Sequence, residues 1–341
     1  MRIVHIMIFE KFIRGYIEFV VKEFDVRDHH FYIVGKDYKK YNLDNLPNVT
    51  IVDNYYKLLK FVFAINRSQR IILHGLWHEG VIRLLLLQPW LIKKCYWMMW
   101  GGDFYYYDSE TVSKKRLIKK LQHFVGFVRG DYEFVREKYG AAGEFHESIL
   151  YTVAFFEELV RKRTAGKEES IKILVGNSAD PSNNHLQIFE ILLPFKDAGI
   201  EVIVPLSYGN ESYRNDVVEK GAELFGDHFK PLLDFIPLDQ YKKMLTEIQI
   251  GIFNHGRQQG LGNIITLLSY GKKVFLRKDV TTWGAFKDLG VTLYDIKEFT
   301  LTDIDPETRK ENIQSMKQYF TPENYKTQLT RLFYSNQNSS N

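Results

Sequence analysis

The chain of 341 residues has a single cysteine, Cys95, so an intrachain disulfide is excluded and a reducing compartment is the natural setting. It also lacks an apolar run long enough to cross a bilayer. The strongest candidate, Val81 to Ile92, holds Leu84 to Leu87 in a row, but Arg83 and Gln88-Pro89 break it well short of the ~20 apolar residues a span requires. Met1 to Phe9 is an apolar start. Glu10, Lys11 and Arg14 follow at once with no small-residue cleavage site, so it reads as a first buried strand and not as a secretory leader. No Gly-x-Gly-x-x-Gly turn follows that strand, which counts against a dinucleotide cofactor. No His/Cys group has zinc-like spacing, and Asp303-Ile304-Asp305 runs into Pro306 in a turn-like stretch, so no metal is expected. A formal net charge of +4 is modest for a chain that binds nucleic acid.

What is present is an alternation of short apolar runs with helix-like segments. Strands are expected at Ile3–Phe9, Phe31–Val34, Val49–Val52, Ile71–His74, Cys95–Trp100 and Val125–Val128, with helices at Ile13–Phe24, Tyr55–Asn66, Val81–Leu87 and Lys114–Phe124 between them. The second half repeats the pattern, with strands at Ile171–Val175, Val202–Pro205, Ile248–Phe253 and Lys273–Leu276. Helices near His185–Phe195, Glu211–Leu224, Leu238–Glu247 and Gly262–Tyr270 interleave with them. Such alternation predicts two domains, each a parallel sheet with helices on both faces. We place them at residues 1–160 and 170–310, joined by the charged, glycine-containing stretch Arg161 to Glu169. Helices are expected within 311–334 and a disordered tail at 335–341.

Two polar loops carry the chemistry. Asn254 to Asn263, with Arg257, Gln258, Gln259, Gly260 and Gly262, separates a strand from a helix. Its glycines let the backbone approach a ligand, and the helix's first N–H groups point outward. Arg257 suits a diphosphate, which a guanidinium pairs bidentately, and Gln258, Gln259 and Asn263 offer neutral hydrogen bonds around it. The second loop follows Ile171–Val175 with Gly176, Asn177 and Ser178, then Ser182, Asn183, Asn184 and His185 at a helix start. The Ser and Asn residues there are also good N-caps. At a helix's first turn His185 is expected to be neutral.

These motifs, in this order, resemble glycosyltransferase family 56, the fucosamine-type lipid-II transferases of enterobacterial common antigen synthesis. Trp100-Gly101-Gly102-Asp103 adds a family-like patch in the first half. The resemblance implies a GT-B fold: two Rossmann-like domains facing a cleft, the nucleotide sugar held mainly by the second, and a C-terminal helix crossing back to the first. It also implies transfer of a 4-acetamido-4,6-dideoxygalactose type sugar from a dTDP donor to a polyprenyl-diphosphate glycan, with the nucleotide sugar as co-substrate and no other cofactor. Arg257 and the helix amides would neutralise the leaving diphosphate, helped by a lysine such as Lys278. Asn177 and Ser178 would face phosphate or sugar, and Asn184 and His185 would touch the sugar or shape the loop. Asp239 and Tyr241 lie in a segment resembling the loop that meets the nucleobase, although a proline-led helix start is the plainer reading of each side chain. A nucleotide-sugar enzyme of another chemistry, such as an epimerase, would use the same phosphate devices.

The acceptor side falls to the first half. Asp103 after two glycines, and His74 or His78 around Gly75-Leu76-Trp77, are candidate bases, Asp103 favoured. The window from Arg83 to Lys120 holds Lys93, Lys94, Lys115 and Lys119 with Trp97 and Trp100, and Trp77 lies just before it. Basic residues with aromatics predict a peripheral seat on the inner leaflet of the cytoplasmic membrane, a solvated helix face with buried aromatics being the plainer alternative.

Overall fold

Strands that are apolar along their whole length, such as Ile-Val-His-Ile-Met and Ile-Gly-Ile-Phe, have no solvent face and need helices on both sides of the sheet. The computed structural model, which describes residues 2–10, 12–35, 43, 45–152, 155–156 and 170–335, shows that arrangement twice. Contacts divide the chain into one unit of Met1–Val153 with Pro322–Asn341 and a second of Ala154–Thr321.

In the first unit the order along the chain is β1 (Ile3–Met7), α1 (Ile13–Glu23), β2 (His29–Ile33), β3 (Val49–Ile51), α2 (Tyr55–Arg67), β4 (Arg70–His74) and α3 (Glu79–Leu87). β5 (Cys95–Met98), α4 (Val112–Lys120), β6 (His123–Gly126), α5 (Arg129–Tyr139) and β7 (Glu144–Glu147) follow. Among the described residues these strands form one parallel sheet in the order β3-β2-β1-β4-β5-β6-β7. Asn54 caps α2 by accepting from the Lys57 amide at 3.0 Å, and α5 stops at Gly140, whose φ of 66° is a left-handed value glycine adopts without strain.

The second unit runs β8 (Ile171–Val175), α6 (His185–Leu192), β9 (Ile200–Pro205), α7 (Glu211–Phe225), β10 (Phe229–Leu232), α8 (Leu238–Glu247) and β11 (Ile250–Phe253). It continues with α9 (Leu261–Ser269), β12 (Lys273–Leu276), α10 (Thr281–Asp288), β13 (Tyr294–Asp295) and α11 (Pro306–Tyr319). The sheet order is β10-β9-β8-β11-β12-β13, again parallel. In each sheet the order reverses once, at β1 beside β4 and at β8 beside β11, and open parallel sheets bind ligands outside the carboxyl ends of the strands at such points.

The last helix, α12 (Pro322–Tyr334), belongs to the first unit. Tyr325 donates to the Leu150 carbonyl at 2.8 Å, Gln328 accepts from the Ile149 amide at 2.8 Å, and the Arg70 guanidinium donates to the Leu332 carbonyl. The expected C-terminal pair of helices is thus divided, α11 lying in the second unit. The expected helix Lys114–Phe124 is two elements, because Leu121-Gln122 breaks it before Phe124 enters the sheet. Neither edge strand β7, with its polar Glu-Phe-His-Glu sequence, nor β10, β13, α5 and α10 had been anticipated. The linker at Arg161 to Glu169 and the tail from Asn336 onward lie outside the described residues.

Candidate functional site

At the switch point of the second unit the loops after β8 and β11 are knitted together. Gly176, at φ 68°, donates its amide to the Ile252 carbonyl at 2.9 Å, and the Asn177 amide donates to Asn183 Oδ1 at 2.9 Å. Asn184, also left-handed at φ 52°, donates through Nδ2 to the carbonyls of Ser182 at 3.1 Å and Asn254 at 2.8 Å. Its side chain therefore bridges the two loops and is committed there. Gln259 Nε2 donates to the buried Ser178 hydroxyl at 3.1 Å, and the Gly256 amide donates to the Ser182 carbonyl at 2.8 Å.

Two histidines form the floor. His185 is fully buried, its backbone amide donating to Tyr213 Oη at 3.0 Å while Nδ1 lies 3.3 Å from the same oxygen. His255, also buried, donates from Nδ1 to the Gln259 carbonyl at 3.1 Å, so its Nε2 is a bare acceptor. Burial pushes His185 down to about 4 and His255 to about 3, so both rings are neutral. Each packs against a left-handed glycine. A Cβ on Gly176 would sit 2.6 Å from His185 Nε2, and one on Gly260 2.8 Å from His255 Cε1. His185 thus shapes the loop and is not exposed to a sugar. Asn177 Oδ1 and both Nε2 atoms are buried without a hydrogen-bond partner among the described residues, while Asn177 Nδ2 reaches Tyr208 Oη at 3.0 Å.

Arg257 stands where the sequence places it, yet it is not a lone cation. Its Nη2 donates to Asp180 Oδ2 at 3.0 Å and its Nη1 to the Gln258 carbonyl at 3.1 Å. The pair is largely shielded, with side-chain exposures of 12% for Arg257 and 27% for Asp180. Burial pushes Asp180 up, but hydrogen bonds from the Ser182 hydroxyl and amide, together with Arg257, outweigh it and hold the carboxyl below its usual range. Asp180 is the residue the sequence reading missed. It reads as an ordinary turn acid before Pro181, and only the fold brings it against Arg257. Beside this pair, α9 begins after Gly260 with Gly262 exposed and open space where a Cβ would stand. The first amides of a helix have no partner within it, so this end offers donors and a positive dipole. Asn263 Nδ2 donates to Tyr241 Oη at 2.9 Å, tying α9 to α8, and burial pushes that phenol up. Asp239 is exposed in the first turn of α8. Lys278 is engaged elsewhere, at 3.2 Å from Asp295.

In the first unit, the candidate bases Asp103 and His74 both lie below the surface. Asp103 is fully buried and accepts from the Leu76 amide at 2.8 Å, Trp97 Nε1 at 2.9 Å and the Trp100 amide at 3.0 Å. Burial pushes it up to about 7, against those three donors. It ties the loops after β4 and β5 together. His74 is buried too, with Nδ1 3.2 Å from Tyr151 Oη and Nε2 3.4 Å from His5 Nδ1, and burial lowers it to about 3. His78, by contrast, is exposed. It stands at the start of α3 beside a pocket at the carboxyl ends of β1 and β4 whose walls include Met7, Ile8, Val34, Gly75 and Trp77. Trp77 is exposed and lies across Gly75 and Gly102, where any Cβ would collide with its indole.

The expected membrane set is scattered. Trp97 is buried in β5, where strand residues face the two helical layers, and Trp100, just beyond the strand, is half-buried. Lys94 donates to the carbonyls of Asn66 and Ser68, Lys115 sits over the Tyr107 ring at 4.3 Å, and Lys93 and Lys119 are exposed.

Among the described residues, one group brings three metal-ligating side chains together: His123, Glu144 and His146, unforeseen from the sequence. It lies on the first unit's β6 and β7, where the strands begin, and its two imidazoles are already 3.0 Å apart. The Asp303/Asp305 pair is occupied: Asp303 holds Arg309 at 2.7 Å and Asp305 caps α11.

Two parallel-sheet Rossmann-like units with a polar, arginine-bearing loop at one switch point make a GT-B fold, and solved structures share it. Anabaena HepE in complex with UDP superposes with a TM-score of 0.71 at 10% identity, covering 98% of this chain and 100% of HepE. A glycosyltransferase from Rickettsia africae gives 0.69 at 12% identity, covering 98% of each chain. The UDP-forming trehalose-phosphate synthase of Burkholderia vietnamiensis gives 0.63 at 9% identity, covering 98% of this chain and 100% of the synthase. The family profile described as 4-alpha-L-fucosyltransferase, glycosyl transferase group 56, matches residues 10–335, and the chain belongs to that family.

Proposed function

We propose that the protein transfers a dideoxy or amino hexose from a dTDP-linked donor to a polyprenyl-diphosphate-linked glycan on the cytoplasmic membrane face, without a metal ion. The observation that carries this reading is the convergence of Arg257, oriented by Asp180, with the amino end of α9 at the second sheet's switch point. A diphosphate leaving group needs fixed positive charge and N–H donors, and both are built there. That HepE crystals hold UDP or UDP-glucose supports the nucleotide-sugar class. In the reaction the acceptor oxygen bonds to the anomeric carbon and the bond to the diphosphate oxygen breaks. For an inverting course the hydroxyl's proton passes to a base, and exposed His78 takes that role in place of Asp103 and His74, which are buried.

The test is incubation with polyprenyl-diphosphate glycans and a panel of nucleotide sugars, read by mass spectrometry. The reading predicts a lipid-linked product heavier by one amino-dideoxyhexose with the dTDP donor, with turnover unchanged by chelator. Isomerisation of the sugar nucleotide without an acceptor would replace it with an epimerase, and strict Mn²⁺ or Mg²⁺ dependence would remove its metal-free part.

A further inference from the structure

Helix α2 is apolar on the side where a surface helix should be polar. Its inner face is Phe61, Ala64 and Ile65. On the outer face Tyr55, Leu59 and Phe63 follow one another at four-residue spacing, with Tyr56 beside them, at exposures of 74%, 50%, 58% and 65% in that order. The patch continues past the helix. Asn66 Nδ2 donates to Gln88 at 2.7 Å and Trp90 Nε1 donates to Asn66 at 3.0 Å, which sets exposed Leu87 and Trp90 next to the end of α2.

Cations dominate its rim. Lys60 Nζ lies 4.4 Å from the centre of the Tyr56 ring, the Arg67 guanidinium lies 5.1 Å from that of Phe63, and Lys93 is exposed beyond Trp90. From Asn54 to Gly102 the sequence has a single acid, Glu79, held by Arg83 at 3.0 Å, and Asp53 just before it is held by Lys57 at 2.8 Å, while Lys60, Arg67, Arg83 and Lys93 are exposed along the same stretch. Leucines and aromatics ringed by cations on a helix exposed along its length match what an anionic bilayer accepts: apolar groups at the acyl boundary, Tyr and Trp at headgroup depth, Lys and Arg on phosphate. A second copy fits poorly, since a two-fold contact on this patch would bring Lys60, Arg67 and Lys93 toward their own counterparts.

We infer that the outer face of α2, with Leu87 and Trp90, seats the first unit on an anionic lipid surface. This gives the lipid-linked acceptor of the proposed reaction a reason to meet the enzyme, and it rests on that reading for its purpose but not for its test. The full chain is sedimented with phosphatidylcholine vesicles, with and without phosphatidylglycerol. Wild type should bind the anionic vesicles and far less of the neutral ones. Tyr55→Ser/Leu59→Ser/Phe63→Ser should weaken partitioning by roughly tenfold or more, and Lys60→Glu/Arg67→Glu by roughly fivefold or more per charge. Melting temperature and the shift produced by dTDP should stay unchanged in both variants, since the altered side chains are exposed and lie outside the second unit. Failure of wild type to bind anionic vesicles, equal binding by the triple variant, or a wild-type dimer that the triple variant abolishes would each overturn the inference. Loss of the dTDP shift in wild type would instead count against the donor reading, so the two failures are separable.

Discussion

The ion pair between Arg257 and Asp180 makes opposite predictions for its two partners. Removing the carboxylate with Asp180→Asn takes away the acceptor of Arg257 Nη2 at 3.0 Å and weakens the hold on the Ser182 amide at 2.9 Å. Loss of a cap-type hydrogen bond costs roughly 1 kcal/mol and loss of a charge-assisted one about 1 to 3 kcal/mol, so the second unit should lose about 2 to 4 kcal/mol of stability. Yet the Asp180 carboxylate would then no longer compete with a diphosphate for the guanidinium. Affinity for dTDP should hold or rise in Asp180→Asn even as the melting temperature falls. Arg257→Ala should do the reverse, weakening dTDP binding by roughly tenfold to a hundredfold and turnover by about a hundredfold or more, as expected when a donor to a leaving group is lost. Calorimetric titration of both single variants and the double variant, alongside thermal melts, separates the cases. If Arg257→Ala binds dTDP as wild type does and only its melt changes, Arg257 is a structural partner of Asp180 and the diphosphate assignment is wrong.

Four further outcomes follow from the geometry. His185 and His255 are held neutral by burial at about 4 and about 3, below the ordinary 6.5, so the unfolded chain takes up protons the folded one refuses. Their contribution is intact above about pH 6.5 and is lost as pH falls toward 4, at roughly 1 kcal/mol per ring by pH 5.5; an acid titration of melts should show it, and a flat profile between pH 7 and 5 would contradict it. Gly176→Ala places a methyl 2.6 Å from His185 Nε2 at a φ of 68°, and should cost about 2 to 4 kcal/mol with weaker dTDP binding; unchanged melts would refute the packing described. His78→Ala should abolish most turnover while the fold and donor binding persist. By contrast, Asp103→Asn should destabilise by about 3 kcal/mol, since an amide hydrogen would face one of three N–H donors.

The two polar loops of the second unit were readable because their signals are local. A glycine-bearing turn between an apolar strand and an apolar helix has few structural solutions, and Gly176, Arg257 and Gly260 occupy them. Asp180 was not readable, since its partner is 77 residues away and nothing near Pro181 marks it as more than a turn acid. The same limit explains the first half. Asp103 and Trp97 follow or occupy strand-like sequence, but which strand-end side chains turn inward is decided by cross-strand packing, here the Trp97 indole donating to Asp103 at 2.9 Å. The exposed aromatic face of α2 is not legible in its sequence, because Tyr55, Leu59 and Phe63 carry the same four-residue spacing as a face turned to the core, and only the fold shows which side is covered. Edge strand β7 alternates polar and apolar residues too briefly to show a period.

A crystal structure of the full chain with dTDP tests the central claim most directly. The diphosphate should lie within hydrogen-bonding distance of Arg257 and of the amides of Gly262 and Asn263. A nucleotide bound elsewhere, with Arg257 and Asp180 paired as they are now and the amino end of α9 untouched, would contradict it.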